Sequence, residues 1–350
     1  MRPPDLAGPA ELLQIDTPAL FQEAVTKTVQ RLSRGEVAAL PTETVYGLAA
    51  NAWNREAVSR IYEAKGRPAH NPLIVHVSSF AMARACVSDW PERAAALARS
   101  FWPGPLTMVL PKSSLIPHEV TGGGETVAIR WPGHPFMRAV IEACGFPLAA
   151  PSANRSNELS PTTARHVLKS LGHLIPLIVD GGPCQVGIES TVVDLGCEPP
   201  RILRPGIIPA NAIGALDRPF GPGYGDAAPP SPGMLAKHYS PKARLALAQW
   251  SDTRELERWV ATSHPESRQV HIIVYEVVPS PDSFARVSLM PNDAEAYARA
   301  LYAELHICDE LGADLIVVER PPDTPDWVGV LDRLQRGCGA ALAPVERQEI

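Results

Sequence analysis

A stretch rich in proline and glycine divides the sequence into two parts. Residues 217–243 read DRPFGPGYGDAAPPSPGMLAKHYSPKA. Glycine widens the backbone's freedom and proline removes hydrogen-bond donors, so this composition is typical of a linker. The 350 residues are enough for two separate cores. We predict a first domain over residues 15–212, a linker over 213–242 and a second domain over 243–350.

Composition excludes several classes of protein. The hydrophobic content of 45% is ordinary for a soluble protein, and the net charge of -6 does not indicate a general nucleic-acid-binding surface. Six cysteines are scattered without a CxxC pair, which indicates a reduced protein without structural zinc. Neither a signal peptide nor an apolar run of membrane length is present, so we expect a cytoplasmic protein without a membrane segment.

Short apolar runs alternate with helical patterns in the first domain, and polar residues collect where the runs end. Residues 1–14 are predicted to be a loose tail, and a helix is predicted from Pro18 to Gly35. Further strands are expected near residues 106–111, 126–130, 148–150 and 174–179. This alternation predicts an α/β domain with a twisted mixed sheet.

Residues 40–76 contain the densest set of polar residues at strand ends. A strand ends at Leu40 because Pro41 cannot donate to a ladder. A helix is predicted from its N-cap Asn54 to Gly66, with Lys65 and Arg67 at its end. A second strand, residues 73–75, then leads to His76. Ligands of open α/β sheets bind at such strand ends.

Lys65 and Arg67 flank Asn71, and two cations beside an amide suit a phosphate. The alternative is a solvated helix C-terminus, where basic residues meet the helix dipole favourably. Arg130 follows a predicted strand in the same way and is interpreted as a further cation or as a surface arginine.

Small and polar residues follow the later strands. Ser152 and Asn154 crowd one turn, and Ser160 before Pro161 is interpreted as a helix N-cap whose helix could also bind phosphate. Ser190 opens another strand, and Arg204 comes to a turn in RILRPG.

The second domain shows three strand–helix units, which predict a small Rossmann-like three-layer α/β/α domain. No GxGxxG follows its strands, so a dinucleotide site is not expected. The chain also lacks the P-loop GxxxxGK[ST] and the GxSxG elbow, which argues against an ordinary NTPase and a serine hydrolase.

The order of PTETVYGLAANA, AKGRP, NPLIVH and WPGPLT is more specific than any single motif. It resembles the YrdC-type threonylcarbamoyl-AMP synthases in their longer two-domain form, over about residues 15–350. The resemblance implies a YrdC-like first domain and condensation of L-threonine, bicarbonate and ATP to threonylcarbamoyl-AMP and pyrophosphate. That product would serve the modification of tRNA with threonylcarbamoyladenosine.

The resemblance also implies roles for individual residues. Lys65 and Arg67 are expected to be catalytic. ATP is expected to contact Lys65, Arg67, Asn71, Thr126, Ser152, Ser160, Arg204 and Tyr239. L-Threonine is expected to contact Thr44, His76, Arg130, Ala150 and Ser190. Mg²⁺ should accompany ATP without a metal site built from protein side chains. The linker is expected to act as a lid over the active site, with Tyr239 on the nucleotide; the alternative is a tether that docks on the second domain.

The expected partners are ATP, L-threonine, bicarbonate and the threonylcarbamoyl transferase machinery that modifies tRNA, with a weak tRNA contact and a monomeric protein. Two other functions are open at this point. One is a non-catalytic protein that binds double-stranded RNA or tRNA. The net negative charge of the chain argues against this function. The other is carbamoyl-adenylate chemistry on a different substrate, as in hydrogenase maturation proteins. Those proteins add zinc-finger-like and acylphosphatase segments, which this chain lacks.

Overall fold

The computed structural model describes residues 8–215 and 239–339. Contacts between Cα atoms divide the chain into two units, Met1–Ser156 with Ser160–Met234 and Asn157–Leu159 with Leu235–Ile350. Most of the predicted linker, including the residues at positions 216–238, lies outside the described residues.

Helices and strands alternate through the first unit. They are β1 (Glu11–Gln14), α1 (Pro18–Ser33), β2 (Ala38–Leu40), β3 (Gly47–Asn51), α2 (Arg55–Lys65), β4 (Ile74–His76), α3 (Phe80–Ala85), α4 (Glu92–Phe101), β5 (Leu106–Pro111), α5 (His118–Thr121), β6 (Thr126–Arg130), α6 (Pro135–Cys144), β7 (Leu148–Ala149), α7 (Ala164–Leu171), β8 (Leu177–Asp180), β9 (Thr191–Asp194), β10 (Arg201–Arg204) and α8 (Ala210–Gly214).

The strands of this unit form one sheet in the order β1-β8-β2-β3-β7-β4-β6-β5-β9-β10. Strand β4 pairs parallel with β6 and antiparallel with β7. Strand β5 pairs antiparallel with β6 and parallel with β9. The sheet is therefore mixed, which confirms the predicted fold class.

Local sequence signals place the helix before the expected cations. Asn54 caps α2, since its side chain accepts hydrogen bonds from the backbone N–H groups of Glu56 and Ala57. Gly66 ends the helix with a left-handed backbone, φ 60°. Both helix boundaries predicted from the sequence are confirmed, and Lys65 is the last helical residue.

Three local predictions for the first unit are wrong. Residues 11–14 are not a loose tail, because β1 pairs with β8. The polar turn after β2 was expected to lead to the helix α2, but the strand β3 lies between them and pairs back on β2 as a hairpin. Ser160 does not cap a helix: α7 is capped by Thr163, whose side chain accepts from His166 N. Only the first of these differences comes from a pairing distant in sequence, since β2 and β3 are neighbours along the chain and Thr163 caps its own helix.

The second unit contains β11 (Arg244–Ala248), α9 (Thr253–Ser263), β12 (Val270–Val274), β13 (Arg286–Leu289), α10 (Ala294–Glu310), β14 (Leu315–Glu319) and α11 (Val328–Cys338). Its strands pair in parallel in the order β11-β14-β12-β13. The parallel sheet and its helices confirm a smaller α/β domain. Strand β13 was not predicted, because this partly exposed edge strand has no long apolar run.

The cysteines are free thiols. Burial raises the pKa of Cys86, Cys144 and Cys308 to about 12, so these groups stay protonated at neutral pH and are poor nucleophiles. Among the described residues, no helix has the length and apolar character that crossing a membrane requires.

Candidate functional site

The side chains of β6 point alternately to the main core and to a second face of the sheet, which carries polar residues. Val127 and Ile129 pack in the main core, so Thr126, Ala128 and Arg130 lie on the opposite face. A small apolar cluster forms the centre of this face and consists of Ile74, Val109, Ala128, Val192 and Leu203. His76 on β4 and Arg130 on β6 lie on this same face, two residues beyond Ile74 and Ala128 of the cluster.

Arg130 is a buried cation of this face with three polar partners. It is 3% exposed, and its guanidinium donates through Nη1 to Thr44 Oγ1 at 2.9 Å and through Nε to Gly104 O at 3.2 Å. Its Nη2 atom lies 2.6 Å from Glu43 Oε1 in an ion pair. The interpretation of Arg130 as a surface arginine is therefore wrong. Arg130 and Thr44, both predicted to bind threonine, are in direct contact.

Glu43 received no role from the sequence, although it lies in the polar turn PTET. Burial opposes the charged form of its carboxyl. The charge of Arg130 and the backbone N–H of Gly133 outweigh burial, so the pKa of Glu43 is lowered from its ordinary value. Glu43 is therefore a carboxylate beneath Arg130, and only the tertiary contact with Arg130 identifies it.

His76 pairs in register with Arg130 on the neighbouring parallel strand, so the two side chains share one face. Burial, and next the charge of Arg130, lower the pKa of His76 to about 3. Its Nδ1 atom is buried and has no hydrogen-bond partner within the part of the chain that the structure describes. The imidazole is thus neutral at neutral pH and keeps one ring nitrogen for a ligand or a solvent molecule.

Lowering the pH from about 6.5 to 5 is expected to lower the free energy of unfolding through His76. The unfolded imidazole binds a proton below about pH 6.5, whereas the folded one does so only near pH 3. The fall in stability is about 0.7 kcal/mol per pH unit at pH 6.5 and approaches about 1.4 kcal/mol per pH unit near pH 5. Urea denaturation at several pH values should show a flatter dependence for His76→Gln than for the wild type. Identical slopes would contradict a buried neutral His76.

Ser190 and Arg204 connect two predicted groups of ligand-binding residues. Arg204 donates through Nε and Nη2 to Ser190 O at 3.1 and 2.9 Å, and through Nη2 to Ser190 Oγ at 3.1 Å. Ser190 Oγ also lies 2.7 Å from Thr107 Oγ1, a residue that the sequence analysis missed. Because Ser190 was assigned to threonine and Arg204 to ATP, this contact places the two predicted subsites next to each other.

Ser160 donates to Glu189 Oε1 at 2.5 Å, and both residues are buried. The carboxylate thereby orients the hydroxyl that was predicted to contact ATP. The sequence signal for Glu189 was its place before Ser190 in GIESTVVD, but the pattern could not show that it meets Ser160.

Lys65 is buried at the end of α2, with 3% of its surface exposed. Its Nζ donates to Ser152 O at 2.6 Å and also to Asn154 O. The segment that carries these carbonyls is held by the hairpin strand β3, since Leu48 N donates to Pro151 O. Burial excludes the interpretation of Lys65 as a solvated helix end, and its contact with Ser152 joins two residues predicted to bind ATP.

Arg67 folds back on the loop that follows α2. It donates through Nε to Asn71 O at 3.1 Å and through Nη2 to Asn71 Oδ1 at 2.6 Å and Pro72 O at 2.9 Å. Asn71 Nδ2 is buried and finds no acceptor among residues 8–215 and 239–339. Arg67 thus holds the side-chain amide of Asn71 in place through the amide oxygen. The Nδ2 atom of the same amide is a donor that suits a phosphate oxygen.

Three predicted site residues stand apart from these contacts. Thr126 lies four residues before Arg130 on the same face, which is roughly 13 Å along a strand. Ala150 follows β7 and donates its N–H to Ile74 O. Tyr239 lies in the second unit, 2% exposed, with Tyr302 beside its ring and the guanidinium of Arg333 5.2 Å from its centre. Its contact with ATP stays a prediction.

Gly122, which ends α5, lies close to the backbone of His70 in the loop before β4. It has φ +61°, and an added Cβ would lie 2.7 Å from the carbonyl carbon of His70 and closer still to its oxygen. Gly122→Ala is expected to reduce the free energy of unfolding by about 3 kcal/mol, because it combines backbone strain with a backbone clash next to Asn71. Gly145→Ala is the control, since φ is +70° but no atom lies within 4 Å of the added Cβ.

Urea denaturation measures both variants. Strain without a clash should reduce the stability of Gly145→Ala by about 1 kcal/mol. An equal loss in the two variants would contradict the close approach of Gly122 to His70.

Metal ligands were not expected from the side chains. The described parts of the chain contain no group of three or more His, Cys, Asp or Glu side chains that could hold a metal ion. The two buried carboxylates of the site, Glu43 and Glu189, contact Arg130 and Ser160 respectively.

Comparison with known proteins identifies two family profiles in the chain. A family described as "Telomere recombination", Sua5_yciO_yrdC, matches residues 30–206. A second family, described as "Threonylcarbamoyl-AMP synthase, C-terminal domain", matches residues 208–339. Together the two profiles cover both structural units.

Individual relatives agree with the family profiles. The chain is 39% identical over 322 residues to a threonylcarbamoyl-AMP synthase of Pyrococcus abyssi, covering 90% of this chain and 94% of the relative. It is 41% identical over 325 residues to that of Bacillus subtilis, covering 91% and 94%. The structure is similar to that of P. abyssi Sua5 complexed with L-threonine, with a TM-score of 0.85, 37% identity and coverage of 93% and 96%.

Proposed function

Because the chain belongs to the threonylcarbamoyl-AMP synthase family, we propose that it condenses L-threonine, bicarbonate and ATP to threonylcarbamoyl-AMP and pyrophosphate. The observation that carries the proposal is the buried Arg130, which lies in register with the neutral His76 and in contact with Thr44. A buried cation beside neutral polar groups suits the carboxylate of a small amino acid. The resemblance to a structure complexed with L-threonine supports threonine as that amino acid.

In this proposal Arg130 pairs with the carboxylate of threonine. Thr44, His76, Ser190 and the backbone of Ala150 surround the amine, the hydroxyl and the carbamate that forms on the amine. His76 is suited to this position because a neutral imidazole can accept or donate a hydrogen bond without adding a second positive charge beside Arg130.

ATP, as its Mg²⁺ complex, is proposed to lie along the buried cations. Lys65, Arg67 and Arg204 donate to carbonyl, amide and hydroxyl oxygens. Hydrogen bonds from these cations to phosphate oxygens are stronger, so phosphate groups can replace some of these partners. Asn71, Thr126, Ser152, Ser160 and Tyr239 complete the proposed nucleotide contacts. Mg²⁺ would be held mainly by the phosphate groups of ATP.

The reaction then needs positioning more than a protein nucleophile. The threonine amine loses a proton and combines with bicarbonate, releasing water and leaving a carbamate. A carbamate oxygen forms a bond to the α-phosphorus of ATP, while the bond from that phosphorus to the bridging oxygen of the β-phosphate breaks. Pyrophosphate leaves with the bonding electrons. Lys65 and Arg67 would stabilise the negative charge that grows on the leaving group.

The product is an activated donor, and we propose that a tRNA-modifying transferase consumes it. The match of the second unit to the synthase C-terminal family supports this over carbamoyl-adenylate chemistry on another substrate. The linker as a lid, a weak tRNA contact and a monomeric state are also part of the proposal.

The decisive experiment incubates the purified protein with MgATP, bicarbonate and isotopically labelled L-threonine. We expect threonine-dependent release of pyrophosphate together with an adduct of the mass of threonylcarbamoyl-AMP, and loss of both when bicarbonate is removed. L-Valine, which has a methyl group in place of the hydroxyl, is the substrate control. Pyrophosphate release that does not depend on threonine, or RNA binding without formation of the adduct, would contradict the proposal.

A further inference from the structure

The ion pair between Glu43 and Arg130 is unusual because it is buried inside the proposed amino-acid subsite. The two side chains are 13% and 4% exposed. Both carboxylate oxygens of Glu43 are shielded from solvent. A Cβ on Gly133 would lie 3.3 Å from Glu43 Cδ, so the carboxylate is also closely packed. Other pairs, such as Lys27 with Glu11, are about 40% exposed on both sides.

A carboxylate at this position has a cost. Removing two charges from water is unfavourable, and buried ion pairs are weak contributors to stability. Glu43 also weakens the attraction of Arg130 for the carboxylate of a ligand, since it already compensates the positive charge. A site that had only to hold a carboxylate would bind it more tightly without Glu43.

We propose that Glu43 is a selectivity residue, which acts through Arg130 to make the subsite prefer an amino acid to a simple carboxylate. The inference rests on the proposed function, in which Arg130 receives the carboxylate of threonine.

Charge balance gives the physical reason. Arg130 and Glu43 together are neutral. Burial lowers the pKa values of the neighbouring His76 and His134, and the charge of Arg130 lowers that of His76 further, so a second positive charge is disfavoured here. A simple carboxylate adds an uncompensated negative charge to this site. An amino acid carries its ammonium group with it and adds none. Charges interact strongly in a buried site because little water screens them.

Glu43 also orients the guanidinium. Thr44, Gly104 and Glu43 contact three different nitrogen atoms of Arg130, so the plane of the guanidinium is fixed. Planar, bidentate recognition of a carboxylate depends on this orientation. Glu43→Gln keeps the size of the side chain and removes its charge, which separates charge balance from packing.

The test compares L-threonine with (R)-3-hydroxybutyrate, which is threonine without its amino group. Titration calorimetry gives the Kd of each, and the selectivity is the ratio of the hydroxybutyrate Kd to the threonine Kd. We expect a ratio of at least ten for the wild type and a decrease of at least tenfold in Glu43→Gln. The variant should bind hydroxybutyrate more tightly and threonine more weakly. A merely structural role would weaken both ligands together and leave the ratio unchanged.

Glu304→Gln is the matched control. Glu304 is as buried as Glu43, at 13%, and forms an ion pair with Arg286 in the second unit. Its loss should not change the ratio. Circular dichroism establishes that each variant is folded.

If Glu43→Gln does not fold, Glu43→Asp is the second test. This variant keeps the negative charge but moves it away from Arg130, because the side chain is shorter. The ratio should then fall at least threefold. An unchanged ratio in a folded variant, or a wild type that binds both ligands equally, would overturn the inference. A wild type that binds no threonine would instead overturn the proposed function.

Discussion

Arg130→Ala is expected to weaken threonine binding by at least 100-fold while ATP binding stays within about threefold. Truncating one partner of a buried, hydrogen-bonded charge pair typically costs several kcal/mol. Here the truncation removes the cation that would hold the threonine carboxylate and leaves Glu43 without its ion pair. Titration calorimetry with each ligand separately measures the effect. Equal losses for both ligands would contradict the division into subsites.

The same substitution is expected to lower the free energy of unfolding by about 3–5 kcal/mol, since a buried carboxylate is left uncompensated. The double variant Glu43→Gln with Arg130→Gln should recover part of this stability, because neither charge remains. Its threonine affinity should remain low. Recovery of binding together with stability would mean that Arg130 acts only through the fold.

Arg286→Ala is the control for Arg130. Arg286 pairs with Glu304 in the second unit, so its loss can affect stability but should leave threonine affinity unchanged.

Lys65→Ala is expected to reduce kcat by at least 100-fold. Removing a preorganised donor to charge that develops in the transition state typically has an effect of this size. Lys65 is suited to the role because two backbone carbonyls hold its ammonium group in a buried position. The KM for threonine should change little, since the amino acid is proposed to lie at Arg130. Steady-state measurement of pyrophosphate release gives both constants.

The variant should remain folded, with a stability loss of about 1–2 kcal/mol from the carbonyls left without a donor. Lys27→Ala is the control, because Lys27 forms exposed ion pairs with Glu11 and Glu23 and lies away from the site. A folded Lys65→Ala that retains a kcat within threefold of the wild type would show that the lysine only ends its helix.

Much of the first unit could be predicted from local signals. Asn54 and Gly66 marked the ends of α2, and the helix ended on Lys65 as expected. The apolar run before His76 predicted β4. These elements depend on capping groups and side-chain periodicity within a few residues, and such information is present in the sequence itself.

The strand β3 shows where local signals were insufficient. Its residues follow the polar turn directly. One strand neighbour is β2, its hairpin partner, but the other is β7, about 100 residues further along the chain. Short apolar runs with both faces buried do not have the alternation of a half-exposed strand. The pairing with β7 therefore had to come from the tertiary structure.

The site shows the same division. Residue types and motif order in the sequence were enough to suggest Arg130, His76, Lys65 and Arg67 as ligand-binding groups. Their burial could not be predicted from the sequence. Lys65 and Arg67 in AKGRP would give the same sequence pattern if they lay at a solvent-exposed helix end. Glu43 and Glu189 each lie in a polar segment of the sequence, but neither could be given a role from it, because their contacts with Arg130 and Ser160 join residues 87 and 29 positions apart.

The sequence by itself thus determined the family, the α/β class and the set of candidate ligand groups. Those properties depend on residue types and on the order of motifs along the chain. Only the tertiary structure decided which carboxylate lies beneath Arg130, that His76 is neutral, and that Tyr239 is buried in the second unit. The physical reason is that charge compensation, desolvation and burial depend on distances through space, and residues far apart in sequence create them.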